Sequence, residues 1–204
     1  ASHELRTPLT FIRSGVEVLA SQDPELGDQV LSEVDYLTGL TQRLLLLARA
    51  ERGTVTLDRA PLEVPSACRS AADRSERAHG NRLTLAGEDG VVALADRIGF
   101  EAILDALLEN VAVHAGGEAT MSWQRRGQEA VVSIADRGPG IPAEHAGRAF
   151  ERFFRADPSR ARETGGAGLG LALARALAEA QGGRIWIEPT PGGGVTVKLA
   201  LPAV

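Results

Sequence analysis

Near the start of the chain a histidine is followed at once by a carboxylate, within Ser2-His3-Glu4-Leu5-Arg6-Thr7-Pro8-Leu9. At neutral pH an imidazole offers a nitrogen nucleophile. A carboxylate that accepts a hydrogen bond from one ring nitrogen makes the other more nucleophilic. Adjacent residues on a helix do not face each other, so Glu4 must fold back along the surface or act on an approaching substrate. Pro8 falls inside a run with helical spacing, which predicts a kink or bulge just after the histidine. Taken alone, a His-Glu pair reads first as a solvated helix face.

Further along, four segments carry residue types suited to holding phosphates and a base. Leu107-Leu108-Glu109-Asn110 sets an asparagine in a helical run, where by itself it would be an exposed polar residue. Asp136-Arg137-Gly138-Pro139-Gly140-Ile141 follows an expected strand. Its glycines allow close approach of backbone to a ligand, and a carboxylate at a strand end can accept a hydrogen bond from an adenine amino group. Turns use the same letters. Phe150-Glu151-Arg152-Phe153-Phe154-Arg155 gathers three of the five phenylalanines, for which core packing is the simplest role. Arg155 can point at phosphate, whereas Arg160 and Arg162 suit a solvated loop. Gly165-Gly166-Ala167-Gly168-Leu169-Gly170-Leu171 leads into a helix, and backbone amides at a helix N-terminus make an anion site. No Gly-Lys-Ser/Thr follows, so this is not a P-loop. It opens no first strand-turn-helix unit, so it is not a Rossmann fingerprint either.

The elements that must position these groups fall into two patterns. Residues 1 to about 52 show no strand signal. Leu5, Leu9, Ile12, Val16 and Leu19 repeat at helical spacing, and Ser21-Gln22-Asp23-Pro24 breaks the run. A second helix is predicted from Glu25 to Glu51, with Val30, Val34, Leu37, Thr41, Leu44 and Ala48 as a coiled-coil seam. A lone helical hairpin cannot bury both seams, so a dimeric four-helix bundle is expected. Arg52-Gly53 is the expected hinge. Beyond it, Leu62-Glu63-Val64 is strand-like and 66–79 helical. Strands are predicted at 82–86 and 91–95, a helix at 97–114, and a hairpin at 118–125 and 129–135. A helix is predicted near 168–181. The last strands are placed at 184–188 and 194–201, turning at Pro191-Gly192-Gly193-Gly194.

Composition is compatible with this reading. The 204 residues suffice for one large domain or two modest ones, and 44 % are hydrophobic. A net charge of −5 argues against a nucleic-acid binder. Lys198 is the only lysine, so nearly all positive charge is arginine, the better fork for phosphate oxygens; codon usage in a GC-rich genome explains the bias as well. The single Cys68 cannot form a disulfide within one chain, which fits a reducing compartment. No apolar run approaches the ~20 residues that span a bilayer, and no signal peptide is evident. The abrupt opening on ASHELRTPLT reads as a fragment of a longer protein.

In order and spacing these segments resemble the catalytic core of two-component sensor histidine kinases. Residues 2–9 are similar to the H-box, 107–110 to the N-box, 136–141 to G1, 150–155 to the F-box and 165–171 to G2. The resemblance implies a fold of α plus α/β type. A dimerisation and phosphotransfer hairpin over residues 1–52 would form a dimeric four-helix bundle. A two-layer Bergerat-type sandwich over 53–204, shared with gyrase, the Hsp90 chaperone and MutL, would bind ATP. It further implies His3 as phosphoacceptor, Glu4 as general base, and Thr7 as the residue that positions water for dephosphorylating a partner. Asn110 would hold Mg2+ and Asp136 would read adenine. Gly138, Gly140, Arg155, Gly166, Gly168, Gly170 and Leu171 would line the nucleotide. The implied partners are a response-regulator receiver domain and a second copy of the chain, with no nucleic acid. The implied location is the cytoplasmic side of a membrane-anchored bacterial protein. Two positions depart from the pattern: Ala106 stands where a second asparagine is frequent, and Val113 where a basic residue is common. A serine kinase or ATPase of the same superfamily and a non-catalytic ATP-binding scaffold are the rival readings.

Overall fold

The computed structural model describes Ile12, Arg13, Val16 and residues 24–155 and 167–204. The chain divides into two compact units, Ala1–Arg49 and Ala50–Val204.

In the first unit, Ile12, Arg13 and Val16 are helical, and Arg13 pairs with Asp35. The long helix α1 spans Pro24–Glu51. Proline suits a first helical turn, where its missing N–H costs nothing, so the helix opens one residue before the expected Glu25. Along the expected seam, Val34 is buried, while Val30 and Leu37 stay exposed.

The second unit is built on a five-stranded sheet. Its elements are β1 (Arg59–Glu63), α2 (Val64–His79), β2 (Arg82–Gly87), β3 (Val92–Asp96), α3 (Arg97–Ala115), β4 (Glu118–Arg126), β5 (Glu129–Asp136), α4 (Ala143–Ala146), α5 (Gly170–Ala180), β6 (Arg184–Pro189) and β7 (Val195–Pro202). The sheet order is β2-β4-β5-β7-β6, and β1 and β3 form a separate pair. Among the described strand pairs only β2–β4 is parallel. Register places Met121, Ile134 and Val197 in one row and Trp123, Val132 and Leu199 in the next, on the same face. Most of these side chains are buried, as the face covered by helices requires. Val64 departs from the expectation: it opens α2 instead of ending β1, because Pro65 pre-sets φ for the first helical turn. The four-residue α4 was not expected.

Side-chain hydrogen bonds seat α3, the helix that carries Asn110. Asp96 caps it, its carboxylate accepting from the Gly99 N–H at 2.7 Å. The buried Gln181, just after α5, accepts from the Asp96 N–H at 2.8 Å and donates to the Leu177 carbonyl at 3.2 Å. The start of α3 is thereby tied to the end of α5. The buried Asn81 donates to Ser75 Oγ at 2.7 Å and to the Leu108 carbonyl at 2.8 Å, joining α2 to the middle of α3. Glu51 pairs with Arg152.

Candidate nucleotide-binding site

Asn110 is half-buried on α3. Opposite it lies the first residue of α5: a Cβ on Gly170 would stand 3.5 Å from Asn110 Oδ1 and 3.6 Å from the Ala106 carbonyl oxygen. The N-terminus of α5, whose first amides have no intrahelical acceptor, therefore borders the asparagine. Ala106, buried beside it, lets the two helices approach closely. Leu171 follows, half-buried.

Asp136 ends β5. Its Oδ1 accepts two backbone N–H groups, from Gly138 at 2.8 Å and from Val195 at 3.1 Å. Among the described residues Oδ2 accepts none, so one carboxylate oxygen is fixed and the other is available to a donor. Gly138 is needed where it stands, since a Cβ there would lie 2.9 Å from the His114 carbonyl. Gly140 has φ +78° and faces the backbone of Gly194. This brings the 136–140 loop against both the end of α3 and the β6–β7 turn.

The glycine-rich segment returns to the phenylalanine cluster. Phe153 takes φ +61°, rare outside glycine, and its N–H donates to the Gly168 carbonyl at 2.9 Å. Gly168 has φ +66°, and a Cβ on it would lie 2.8 Å from the Phe154 carbonyl. Phe153 and Phe154 are thus held against Gly168. Phe154 lies between the His145 ring, 5.5 Å away, and the Arg148 guanidinium, 4.7 Å away. Phe150 has Arg175 at 5.9 Å. Core packing fits Phe150 and Phe154 in part, but Phe153 is 59 % exposed and does not follow it. Arg155 is half-buried at the edge of the described residues.

Asn110, Asp136, Gly138, Gly140, Arg155, Gly168, Gly170 and Leu171 all belong to the second unit. His3, Glu4, Thr7, Arg160, Arg162, Gly165 and Gly166 lie outside the described residues. The contact from Val195 to Asp136 was not expected; the glycine run before it signalled a turn and nothing more.

Residues 95–204 match the model of the histidine kinase-, DNA gyrase B- and HSP90-like ATPase family, and residues 1–53 match the His kinase A phospho-acceptor domain. The chain belongs to the sensor histidine kinases. It is 32 % identical over 207 residues to the sensor histidine kinase YkoH of Bacillus subtilis, covering 98 % of this chain and 45 % of that protein. Against the signal transduction histidine-protein kinase BaeS of Escherichia coli the identity is 33 % over 212 residues, with the same coverages. The chain thus spans less than half the length of these curated relatives. Among solved structures, full-length ShkA in complex with AMPPNP superposes with a TM-score of 0.84 at 26 % identity, over 100 % of this chain and 44 % of that one. The Acinetobacter baumannii histidine kinase AdeS shares the fold with a TM-score of 0.71 at 23 % identity, over 98 % and 97 % of the two chains.

Proposed function

We propose that this chain is the catalytic core that transfers the γ-phosphoryl group of ATP to His3 and then to an aspartate on a response-regulator receiver domain. The observation that carries the reading is the joining, in one chain, of a phospho-acceptor segment containing His3 to the site at Asn110 and Asp136. Residues 1–52 serve as substrate and docking unit and 53–204 as ATP-binding unit. The AMPPNP bound to ShkA supports a triphosphate ligand.

In this reading Asp136 Oδ2 accepts from the adenine amino group. The N-terminal amides of α5, with Gly166, Gly168, Gly170 and Leu171, bind the phosphates, and Arg155 adds a guanidinium fork. The donor set suits a hard cation. Asn110 offers a neutral carboxamide oxygen, and no cluster of three acidic or soft ligands exists among the described residues. That fits magnesium held largely by phosphate and water. When bound there, such an ion would offset negative charge on the triphosphate. A ring nitrogen of His3 attacks phosphorus, the N–P bond forms as the bond to the ADP oxygen breaks, and the imidazole proton passes to Glu4. Positioning and electrostatics supply most of the acceleration. The N–P bond later breaks as the receiver aspartate takes the phosphoryl group. Thr7, by holding a water beside that phosphoaspartate, supports hydrolysis as well.

The hairpin acts as a homodimer. The longer protein is anchored in a bacterial membrane with this part on the cytoplasmic side; no described helix here is long and apolar enough to cross a bilayer. Labelled ATP tests the chemistry. An acid-labile, base-stable label should appear and be lost in His3→Gln, with ATP affinity kept within about twofold. A hydroxyl ester, or no label, selects the serine-kinase or scaffold reading instead.

A further inference from the structure

We propose that the tip of the β6–β7 hairpin, Gly194–Val195, is a positioning element for the Asp136 carboxylate and so part of the base-recognition site. This rests on the reading of Asp136 as the adenine acceptor.

The two donors to Asp136 Oδ1 differ in kind. Gly138 lies two residues on, in the same loop, so its hydrogen bond travels with the loop. Val195 is 59 residues away and opens β7. Among the described residues only its N–H fixes the carboxylate against the sheet. For that donor to arrive, the turn must lie flat on the backbone of Asp136. A Cβ on Gly194 would stand 2.1 Å from the Asp136 carbonyl oxygen, 2.7 Å from its carbon and 2.8 Å from Arg137 Cα. Any other residue at 194 pushes the two chains apart. Gly194 also has φ +100°, and Gly140 meets its carbonyl from the facing loop at 3.5 Å. The turn is braced from within. The Thr190 N–H donates to the Gly194 carbonyl at 3.2 Å and the Gly193 N–H to the Thr190 carbonyl at 3.0 Å. The Thr190 and Thr196 hydroxyls meet at 2.9 Å. Gly192 and Gly193 take similar φ values, yet a Cβ on either would meet nothing within 4 Å. The close approach therefore belongs to Gly194 and not to the glycine run as a whole.

With Oδ1 occupied by two N–H groups, Oδ2 is presented as a fixed acceptor. A fixed acceptor rewards a ligand N–H and penalises an oxygen at the same place. The hairpin tip thereby enforces selection of a 6-aminopurine nucleotide.

The test compares ADP with purine riboside 5′-diphosphate, which lacks only the 6-amino group, by calorimetry on the whole chain. The parent protein is expected to prefer ADP. Gly194→Ala should weaken ADP by about tenfold while changing purine riboside diphosphate by less than about twofold. Gly193→Ala carries comparable backbone strain without the contact and should keep the preference. An equal loss for both ligands in Gly194→Ala, or an equal loss of preference in Gly193→Ala, overturns the proposal. Should Gly194→Ala not fold, Thr196→Val loosens the brace without touching Asp136, and an unchanged preference in that variant overturns the proposal as well. If the parent protein shows no preference, the reading of Asp136 itself fails and the hairpin's role falls with it.

Discussion

Val113 and Cys68 show how one side chain's surroundings decide what it can do. Val113 sits one helical turn beyond Asn110 and is half-buried, so a long side chain from this position can reach solvent along α3. Valine offers no charge-assisted hydrogen bond, a contact worth about 1.5–3 kcal/mol. Val113→Lys should tighten Mg-ATP binding by about tenfold and make Arg155→Ala less harmful than in the parent. Titration calorimetry with and without magnesium reads both effects, and unchanged affinity would mean the departure at 113 has no function. Cys68 is a different case. It is fully buried in α2, and burial pushes its thiol from an ordinary value of 9.0 up to about 12. The folded state therefore holds a proton that the unfolded state releases above pH 9, so stability falls as pH rises from 9 toward 12. Urea unfolding at pH 8 and pH 10 should show this loss, and Cys68→Ala should show less of it. The thiol should also resist alkylation until the protein unfolds.

Between elements, Phe153 and Gly168 are joined by contacts that local sequence does not announce. Gly168→Ala must place a Cβ against the Phe154 carbonyl at a positive φ, which costs about 1–2 kcal/mol before any clash. The variant should lose at least about tenfold in ATP affinity, read by nucleotide titration. Gly147→Ala, at a helical φ and with nothing within 4 Å, is the control and should behave as the parent. The same contrast explains what could be read in advance. The helices α2 and α5 were legible because each buries one face at helical spacing, whereas β5, buried at five successive residues, was legible as a short apolar run bounded by turn residues. The turn at Asp136 and Gly138 was legible as a turn, because the Asp136 carboxylate accepts from the Gly138 N–H two residues on, a bond that Asp-x-Gly spacing favours. Val64 was misassigned since its alternation with Leu62 outweighed the proline that follows. Four-residue α4 has too few residues to show any period. Phe153 looked like its packed neighbours, because nothing local reveals that a carbonyl from Gly168 draws its backbone into a positive φ. The Val195 contact was invisible for the same reason: three glycines state that the chain turns, not what the turn lies against.

At the scale of the whole molecule, the question is what completes the helical unit. Val30 and Leu37 are 37 and 42 % exposed along α1. Their spacing keeps them near one stripe, the side on which Thr41, Leu44 and Ala48 continue the seam. Under the proposed function a second copy is the cover, since a dimeric four-helix bundle buries a seam that one copy leaves open. A two-fold arrangement uses each contact twice, and burying such a side chain contributes about 1.5–3 kcal/mol. Leu37→Asp removes that contribution in both copies and brings two carboxylates into the interface. Its dimer dissociation constant should rise by at least about a hundredfold, read by sedimentation velocity. The described residues of the proposed nucleotide site all lie in Ala50–Val204, so ATP affinity should stay within about twofold of the parent. A Leu37→Asp protein that remains dimeric would place the interface on another face of α1. One that turns monomeric but loses ATP binding would show that the two units depend on each other for folding.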